Sequence, residues 1–389
     1  MKNPLRILFI VAVIDILGFG ILIPLVPYMA EQFGAEPRTI TWILGSYSLC
    51  QLIAAPFWGR LSDRYGRRPI LISSFFGACL SYLILCFAKN LEWLLASRML
   101  AGFMAGNLAA AFAYASDVSK PEHRARSLGM IGAAIGIGFM LGPAIGGSLA
   151  GDNAQSANFA LPAIVSACMS LLAIALVIFA LPESHPVHER TAANGKRGLT
   201  ALQLLTQRPP LRFIAGAALL VTTAQGILES IIAVWAWNQF GFGPRTVGLM
   251  LFGLAVVAVS MQGGFVRVLA PKLGETRLAT LGIAAYVSGL FIASEAGGSL
   301  AFTILGLALC GVGAGAFNPS ASALASKQSR PSDRGAVMGT YQASTSLARV
   351  IGPFISGPIF ATFGASAPFM AGACIMIPAA WLIWQAQRA

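Results

Sequence analysis

The stretch "LRILFIVAVIDILGFGILIPLVPYMA" (residues 5–30) is uncharged and mostly apolar, except for Arg6 near its beginning and Asp15 near its middle. About 20 such residues in a helix cross roughly 30 Å of hydrocarbon. In lipid the backbone must satisfy its own hydrogen bonds, which a helix does within one segment. The stretch therefore predicts a membrane-spanning helix that carries a carboxyl group at mid-depth.

Similar apolar stretches recur along the whole chain. Of its 389 residues, 57% are hydrophobic and 10% are charged, whereas a soluble domain has roughly 25% charged residues. This composition excludes a soluble protein and predicts an all-α membrane protein. We expect twelve spans, at 5–30, 39–60, 68–88, 91–116, 124–150, 158–181, 211–235, 245–268, 276–294, 299–324, 334–360 and 365–385.

The basic residues are distributed unequally between the two sets of connectors. The net charge is +12, but the basic residues lie in short connectors and form no continuous patch of the kind that binds nucleic acid. Apart from Arg98 and Arg349 inside spans, only Arg38, Lys89 and Arg245 lie on the side opposite the N-terminus. The positive-inside rule then predicts a multi-pass cell-membrane protein, in a bacterial inner membrane, with both termini cytoplasmic.

The two halves of the chain repeat each other. "SKPEHRARSLG" (119–129) lies 210 residues before "SRPSDRGAVMG" (329–339), and at the same offset "GPAIGG" (142–147) corresponds to "GPFISG" (352–357). Such repeats are typical of pseudo-symmetric transporters with a site at the repeat interface.

A polar segment divides the spans six and six. We expect an N-terminal six-helix bundle at 1–182, a cytoplasmic linker at 183–210 and a C-terminal six-helix bundle at 211–389. Leu199, Leu202 and Leu205 favour a short helix within the linker, lying on the membrane face.

The connector "GRLSDRYGRRP" (59–69) between spans 2 and 3 combines two glycines, an acid and four arginines. One interpretation is a basic loop that only fixes topology. The segment also resembles the loop signature of the major facilitator superfamily, G-x-L-a-D-R-x-G-R-R, and the resemblance in span count, repeat and linker covers the whole chain. It implies the twelve-helix fold of that family and a latch between the halves, with the motif positions Gly59, Asp63, Arg64, Gly66, Arg67 and Arg68.

Two neighbouring features bear on this latch. The second copy of the loop, "VLAPKLGETR" (268–277), keeps Gly274 and basic residues but has no Asp. Asp117 ends span 4 close in sequence to Lys120 and Arg124, which favours a gate or helix-end role over proton transport.

Span 5 contains "GFMLGPAIGG" (138–147). Gly132, Gly136, Gly138 and Gly142 are expected to leave one helix face without side chains, so that a neighbouring helix packs closely, and Pro143 removes a backbone donor. An ordinary small-residue interface is one interpretation. The pattern also resembles the antiporter motif of exporters in the superfamily, which comprises Gly138, Gly142, Pro143, Gly146 and Gly147 here.

Asp15 is the carboxyl group at the middle of the first predicted span, and its position calls for an explanation. A carboxylate at mid-membrane costs about 2.5–3.5 kcal/mol on insertion scales, and burial favours its neutral form, so the group is suited to take up and release a proton. By helix rise, Asp15 and Arg98 of span 4 lie within about 5 Å of each other in height. Asp15 therefore serves either as a proton carrier or as a packing partner of Arg98, or as both.

Two resemblances concern the same residues. The pattern D-x-x-G-x-G-x-x-x-P-x-x-P, beginning at Asp15, is similar to span 1 of tetracycline–proton antiporters. The segment from Arg98 to Gly102 resembles the family's R-x-x-x-G motif, and this resemblance implies that Arg98 takes part in proton transfer.

The C-terminal half has its own intramembrane charges, Glu229 in span 7 and Arg349 in span 11. Their similar heights, about 25 and 21 Å from the inner ends of their helices, allow a pair. Alternatively, Glu229 binds a cationic substrate or lies in the interface. We expect Asn107, Gln225 and Asn318 to add polar groups to the cavity.

These features predict a proton-coupled antiporter that exports small amphipathic drugs, cationic or zwitterionic, by alternating access. The proton-coupling residues would be Asp15, Arg98 and Glu229. The sequence has no G-x-x-x-x-G-K-[ST] motif, and we expect no cofactor, no metal site, no nucleic-acid partner and a monomer. The alternatives are a symporter or facilitator of a sugar or other metabolite and, from another class, a multispan membrane enzyme, for which the sequence offers no nucleophile or metal constellation.

Overall fold

The computed structural model describes residues 4–184, 201–330 and 333–388, all in helices and short connections, with no strand in these ranges. Most of the predicted linker, including Leu199, lies outside the described residues. The α-helices are α1 Pro4–Leu22, α2 Leu25–Gln32, α3 Pro37–Tyr65, α4 Arg67–Cys86, α5 Leu91–Met104, α6 Asn107–Asp117, α7 Arg124–Ala150, α8 Ala160–Ala180, α9 Ala201–Gln207, α10 Pro209–Phe240, α11 Pro244–Ser260, α12 Val266–Leu273, α13 Glu275–Ser294, α14 Leu300–Lys327, α15 Arg334–Phe363 and α16 Ala367–Arg388.

Twelve helical segments of the described chain are long and apolar enough to cross a membrane, which confirms the predicted fold class and number of spans. Three of these spans are irregular. Span 1 consists of α1 and α2, span 4 consists of α5 and α6, and span 8 consists of α11 and α12 joined by the π-helical turn Met261–Phe265. A break exposes backbone groups, so it is tolerated at membrane depth only where other groups satisfy them. The short α9 lies where the leucine spacing predicts a helix.

The chain packs into two compact units. Of the described residues, one unit comprises 4–35, 46–184 and 242–252, and the other comprises 36–45, 201–241, 253–330 and 333–388. Each unit therefore contains most of one predicted half and a short segment of the other. The domain boundaries at 182 and 211 stay a prediction, because residues 185–200 are not described.

The core of the first unit lies where α1, α4, α6, α7 and α8 meet. It contains Leu8, Phe75, Tyr114, Ile131 and Val177, each almost fully buried. Residues of this size fill the space between helices, whereas glycines on α1 and α7 let those two backbones approach. This core holds the middle of α1, and Asp15 with it, in a fixed position.

Candidate functional site

The break in span 4 places Asn107 beside Asp15. Helix α5 ends at Met104 and α6 begins at Asn107, whose Nδ2 donates a hydrogen bond to Oδ2 of Asp15, with 2.8 Å between the two atoms. At the break, Trp58 Nε1 donates to the carbonyl oxygen of Phe103 at 2.6 Å. A Cβ on Gly106 would overlap the Trp58 ring, so glycine is required there. Trp58, which the sequence pattern does not single out, thus stabilises the break that orients Asn107.

Asp15 lies between two adjoining cavities of the first unit. The larger, of about 30 Å³, is lined by Asp15, Asn107 and the aromatic residues Phe19, Tyr47 and Tyr82, among others. The rings of Phe19 and Tyr47 stack with their centroids 4.6 Å apart. This cavity combines one acid, one amide and aromatic faces, the surfaces that an amphipathic molecule requires.

The second cavity, of about 10 Å³, is also lined by Asp15 and Asn107, and its other walls are apolar and include Leu8, Leu71 and Phe75. Asp15 is itself half-buried. The carboxyl group therefore borders two mostly apolar cavities of the same helix bundle, with Asn107 beside it in both.

The predicted pair of Asp15 with Arg98 is absent from this structure. Among the described residues no ion pair within 4.0 Å joins them. Arg98 is 3% exposed, its Nη2 donates to Ser97 Oγ at 3.2 Å, and its Nε has no hydrogen-bond partner. The height estimate compares distances along ideal helices and does not include the break in span 4, which brings Asn107 to the acid.

The C-terminal charges lie in the second unit. Glu229 and Arg349 are both exposed, and no ion pair within 4.0 Å joins them in the described part of the chain. Arg349 is nevertheless close enough to act on Glu229 electrostatically. Gln225 Nε2 contacts Asn318 Oδ1 at 3.5 Å, which joins two of the predicted polar residues. The predicted direct pair of Glu229 with Arg349 is thus not formed here.

Arg67 is the centre of the loop motif. It is 8% exposed, and it pairs with Asp63 at 2.5 Å and with Asp117 at 3.2 Å. Gly66, with φ of 102°, begins α4 in a conformation that favours glycine. The carboxylate of Glu183 then accepts hydrogen bonds from the backbone N–H groups of Arg67 and Arg68, at 2.9 and 3.1 Å.

This network adds contacts that the sequence does not show. Asp117, at the end of α6, pairs with Arg67 and accepts a hydrogen bond from Ser184 Oγ at 3.4 Å, and its gate or helix-end role stays a prediction. Glu183 falls in the predicted polar linker, but it satisfies two free donors at the beginning of α4, where a negative charge is favoured. Its position just after span 6 gives no sequence signal for this role.

Of the other loop-motif positions, Arg68 Nε donates to the carbonyl oxygen of Val177 at 3.2 Å. The guanidinium of Arg64 lies 5.4 Å from the ring centroid of Tyr65. A Cβ on Gly59 would meet nothing within 4 Å, so close packing does not require glycine there.

The corresponding end of the second unit also has ion pairs. Lys327 Nζ lies 2.7 Å from Glu275 Oε1, which joins the end of α14 to the beginning of α13. Arg208 pairs with Asp333, the residue before α15. Hydrogen bonding from Arg208 holds the pKa of Asp333 below its usual range. The sequence pattern points to neither pair.

Three glycines of the antiporter motif pack closely on α1, as predicted for Gly138 and Gly142, whereas the sequence does not predict the close contact of Gly146. A Cβ on Gly142 would lie 2.6 Å from Gly20 Cα, one on Gly138 would lie 2.7 Å from Ile16 Cβ, and one on Gly146 would overlap Ile21. Helix α7 therefore packs against α1 with its backbone exposed to the contact. Pro143 lies inside α7, which continues to Ala150.

The remaining glycines of span 5 behave differently from one another. A Cβ on Gly147 would lie 3.0 Å from the Cα of Arg245, at the beginning of α11. The prediction for Gly132 and Gly136 is wrong, because a Cβ there would meet nothing within 4 Å. These two glycines lie outside the face of α7 that packs on α1.

Comparisons with known proteins agree with this architecture. The sequence model of the Major Facilitator Superfamily matches residues 8–293 and 217–388. The tetracycline resistance protein, class B, of Escherichia coli is 28% identical over 368 residues, covering 92% of this chain and 89% of the relative. Multidrug resistance protein 2 of Bacillus subtilis is 27% identical over 398 residues, covering 99% and 97%.

Solved structures show the same fold. A bacterial homologue of the human lysosomal transporter Spinster, in an inward-facing and unoccupied conformation, matches with a TM-score of 0.81 at 16% identity, covering 100% of this chain and 98% of that one. The predicted family resemblance is confirmed. The chain belongs to the major facilitator superfamily, as a multi-pass membrane transporter whose relatives include tetracycline and multidrug resistance proteins.

Proposed function

We propose that this protein is a proton-coupled antiporter that exports small amphipathic compounds, cationic or zwitterionic, from the cytoplasm by alternating access. One observation carries the proposal. A membrane-spanning helix presents Asp15 to a cleft lined by aromatic rings, and the only hydrogen bond of that carboxyl group among the described residues comes from Asn107.

The chemistry of coupling follows from that environment. A carboxylate bonded to a neutral amide keeps its negative charge available to a proton or to a cationic group of the cargo, but not to both. Proton binding would neutralise Asp15, release the cargo and leave a neutral site for the return step. Inward proton movement supplies about 2.3 kcal/mol per charge for each 100 mV of membrane potential.

The direction of transport rests on the glycine motif and on the relatives. The motif glycines of α7 pack closely against α1, the helix that carries Asp15. The E. coli and B. subtilis relatives are resistance proteins. We place the protein in a bacterial inner membrane, as a monomer with both termini cytoplasmic, and its partners are the cargo, protons and lipid. No cofactor or metal takes part in this mechanism.

The test is a drug-susceptibility panel in a host that lacks its own efflux pumps. It would compare the unchanged protein, Asp15→Asn and the control Glu92→Gln, an exposed acid at the beginning of α5. We expect Asp15→Asn to lose the resistance and Glu92→Gln to keep it, at equal amounts of protein in the membrane.

Proteoliposomes then test the coupling directly. Cargo movement should follow an imposed pH gradient and stop when an ionophore collapses it. Equal resistance from the unchanged protein and Asp15→Asn, or transport that ignores the gradient, would remove Asp15 and the proton from the mechanism.

A further inference from the structure

Helix α10 is buried on nearly every side, with one opening. From Val221 to Ala236 every residue is buried except Gln225 and Glu229. These two residues are four apart, so they lie one above the other on the same helix face. An amide and an acid thus occupy the single uncovered strip of this section of α10.

The strip faces two other polar side chains of the same unit. Gln225 contacts Asn318 on α14 at 3.5 Å, and Arg349 on α15 is the charged neighbour of Glu229. Ionisable groups within membrane spans lie almost always toward the bundle interior or a water-filled cavity. These four residues therefore line a polar surface of the C-terminal half.

The packing of α10 on α15 explains why Glu229 and Arg349 do not form an ion pair. Gly226 packs on Gly352, and the hydroxyl oxygens of Ser230 and Ser356 are 2.9 Å apart, so the two helices run parallel in one register. In that register Glu229 lies three residues after the contact between Gly226 and Gly352, and Arg349 lies three residues before it. The two residues are therefore about 9 Å apart along the helix axis. The scaffold keeps the opposite charges separate.

We propose that this surface is a bipartite site for a zwitterion, with Glu229 receiving its ammonium group and Arg349 its acidic group. This assignment rests on the proposed transport function and specifies its cargo. A simple cation placed at Glu229 would be repelled by Arg349, and a simple anion at Arg349 would be repelled by Glu229. A zwitterion neutralises both charges at once, and the amides of Gln225 and Asn318 are placed to bond its polar middle.

Three forms of one aromatic amino acid test the charge requirement. At pH 6, 2-naphthylalanine is a zwitterion, its methyl ester is mostly a cation of nearly the same shape, and its N-acetyl derivative is an anion. Calorimetric titration of each into the purified full-length protein measures binding without requiring any proton gradient. We expect the zwitterion to bind about tenfold or more tightly than either other form, because each lost partner removes a charge-assisted hydrogen bond.

Variants then assign each charge to its residue. Arg349→Gln should weaken zwitterion binding about tenfold and leave methyl-ester binding unchanged or stronger, whereas Glu229→Gln should weaken binding of both. Arg349→Lys should keep the preference for the zwitterion at lower affinity, because the positive charge remains without the planar fork. Arg388→Gln, at the end of α16 over the Trp384 ring, is the matched arginine control and should change nothing.

The proposal is overturned if the unchanged protein binds the methyl ester as tightly as the zwitterion, or if Arg349→Gln weakens both equally. The first comparison needs no variant, so it remains decisive even if Arg349→Gln does not fold. Failure of the antiport function would appear elsewhere, as transport that ignores a pH gradient while the binding preference persists.

Discussion

The two halves of this transporter cross their helices in the same way but place their charges differently. In the first unit Gly20 of α1 packs on Gly142 of α7, and in the second Gly226 of α10 packs on Gly352 of α15. The acids do not follow this symmetry. Asp15 lies five residues before its crossing glycine, or about 7.5 Å, and Glu229 lies three residues after its own, or about 4.5 Å.

The same division appears at the ends of the helices. In the first unit Arg67, at the beginning of α4, pairs with Asp117 at the end of α6. In the second unit Glu275, at the beginning of α13, pairs with Lys327 at the end of α14. The position of the ion pair is repeated and its polarity is reversed. The contact geometry was therefore retained between the halves while the chemistry of each half diverged.

The largest expected difference between the halves concerns these ion pairs. Arg67 is 8% exposed and binds Asp63 and the partly buried Asp117, so Arg67→Gln leaves the Asp117 carboxylate without its charged partner and should lower the free energy of unfolding by about 2 kcal/mol. The Glu275 and Lys327 side chains are 27% and 59% exposed, so Glu275→Gln should cost less than about 1 kcal/mol. Thermal unfolding of the purified variants measures both.

Arg60→Gln is the control for this comparison, since Arg60 is exposed near the end of α3. It should behave like the unchanged protein. Equal losses from Arg67→Gln and Glu275→Gln would mean that burial does not distinguish the two ends, and the contrast drawn here would be wrong.

The helix crossings should respond alike in both halves. A Cβ at Gly142 would lie 2.6 Å from a backbone atom of Gly20, and one at Gly352 would lie 2.8 Å from the carbonyl oxygen of Thr223. Gly142→Ala and Gly352→Ala should therefore each destabilise the protein by about 1–3 kcal/mol, because the helices must separate.

The matched control for the crossings is Gly136→Ala on α7, where a Cβ meets nothing within 4 Å. It should be neutral or slightly stabilising, since alanine favours a helix by up to about 1 kcal/mol over glycine. If Gly136→Ala destabilised the protein, close packing would not explain the effect of the other two substitutions. If Gly352→Ala had no effect, the two crossings would not be equivalent. The same thermal unfolding measurement separates these outcomes.

Sequence patterns predict the scaffold better than the partners of its charges. Apolar length and the repeat predict twelve spans, and glycine spacing predicts the packing of Gly142, because both depend on local periodicity. The spacing of residues cannot show that a break after Met104 turns Asn107 toward Asp15, since the break depends on Trp58 from another helix.

Helix-end partners escape prediction for a related reason. The loop motif has Arg at the position of Arg67, whereas the second copy has Glu275 there, so the reversed pair of Glu275 with Lys327 gives no match. Residues that pair across distant segments show no periodicity in the sequence. The exchange of acid and base between the two halves also removes the sequence similarity between the two ion pairs. Only the geometry of the folded chain identifies them.

The smallest expected effect tests whether the reversed pair is equivalent to its counterpart. Lys327→Asp alone places two acids together and should destabilise the protein, whereas Lys327→Asp combined with Glu275→Arg installs the polarity of the first unit and should recover the loss. For an exposed pair the coupling free energy should be about 0.5 kcal/mol, measured as the non-additive part of a double-mutant cycle. Glu275→Arg combined with Arg388→Asp, a residue with which Glu275 forms no ion pair in the described chain, should be additive. If the double variant is no more stable than Lys327→Asp alone, attraction between residues 275 and 327 does not contribute to stability. The ion pairs of the two units would then correspond in position only.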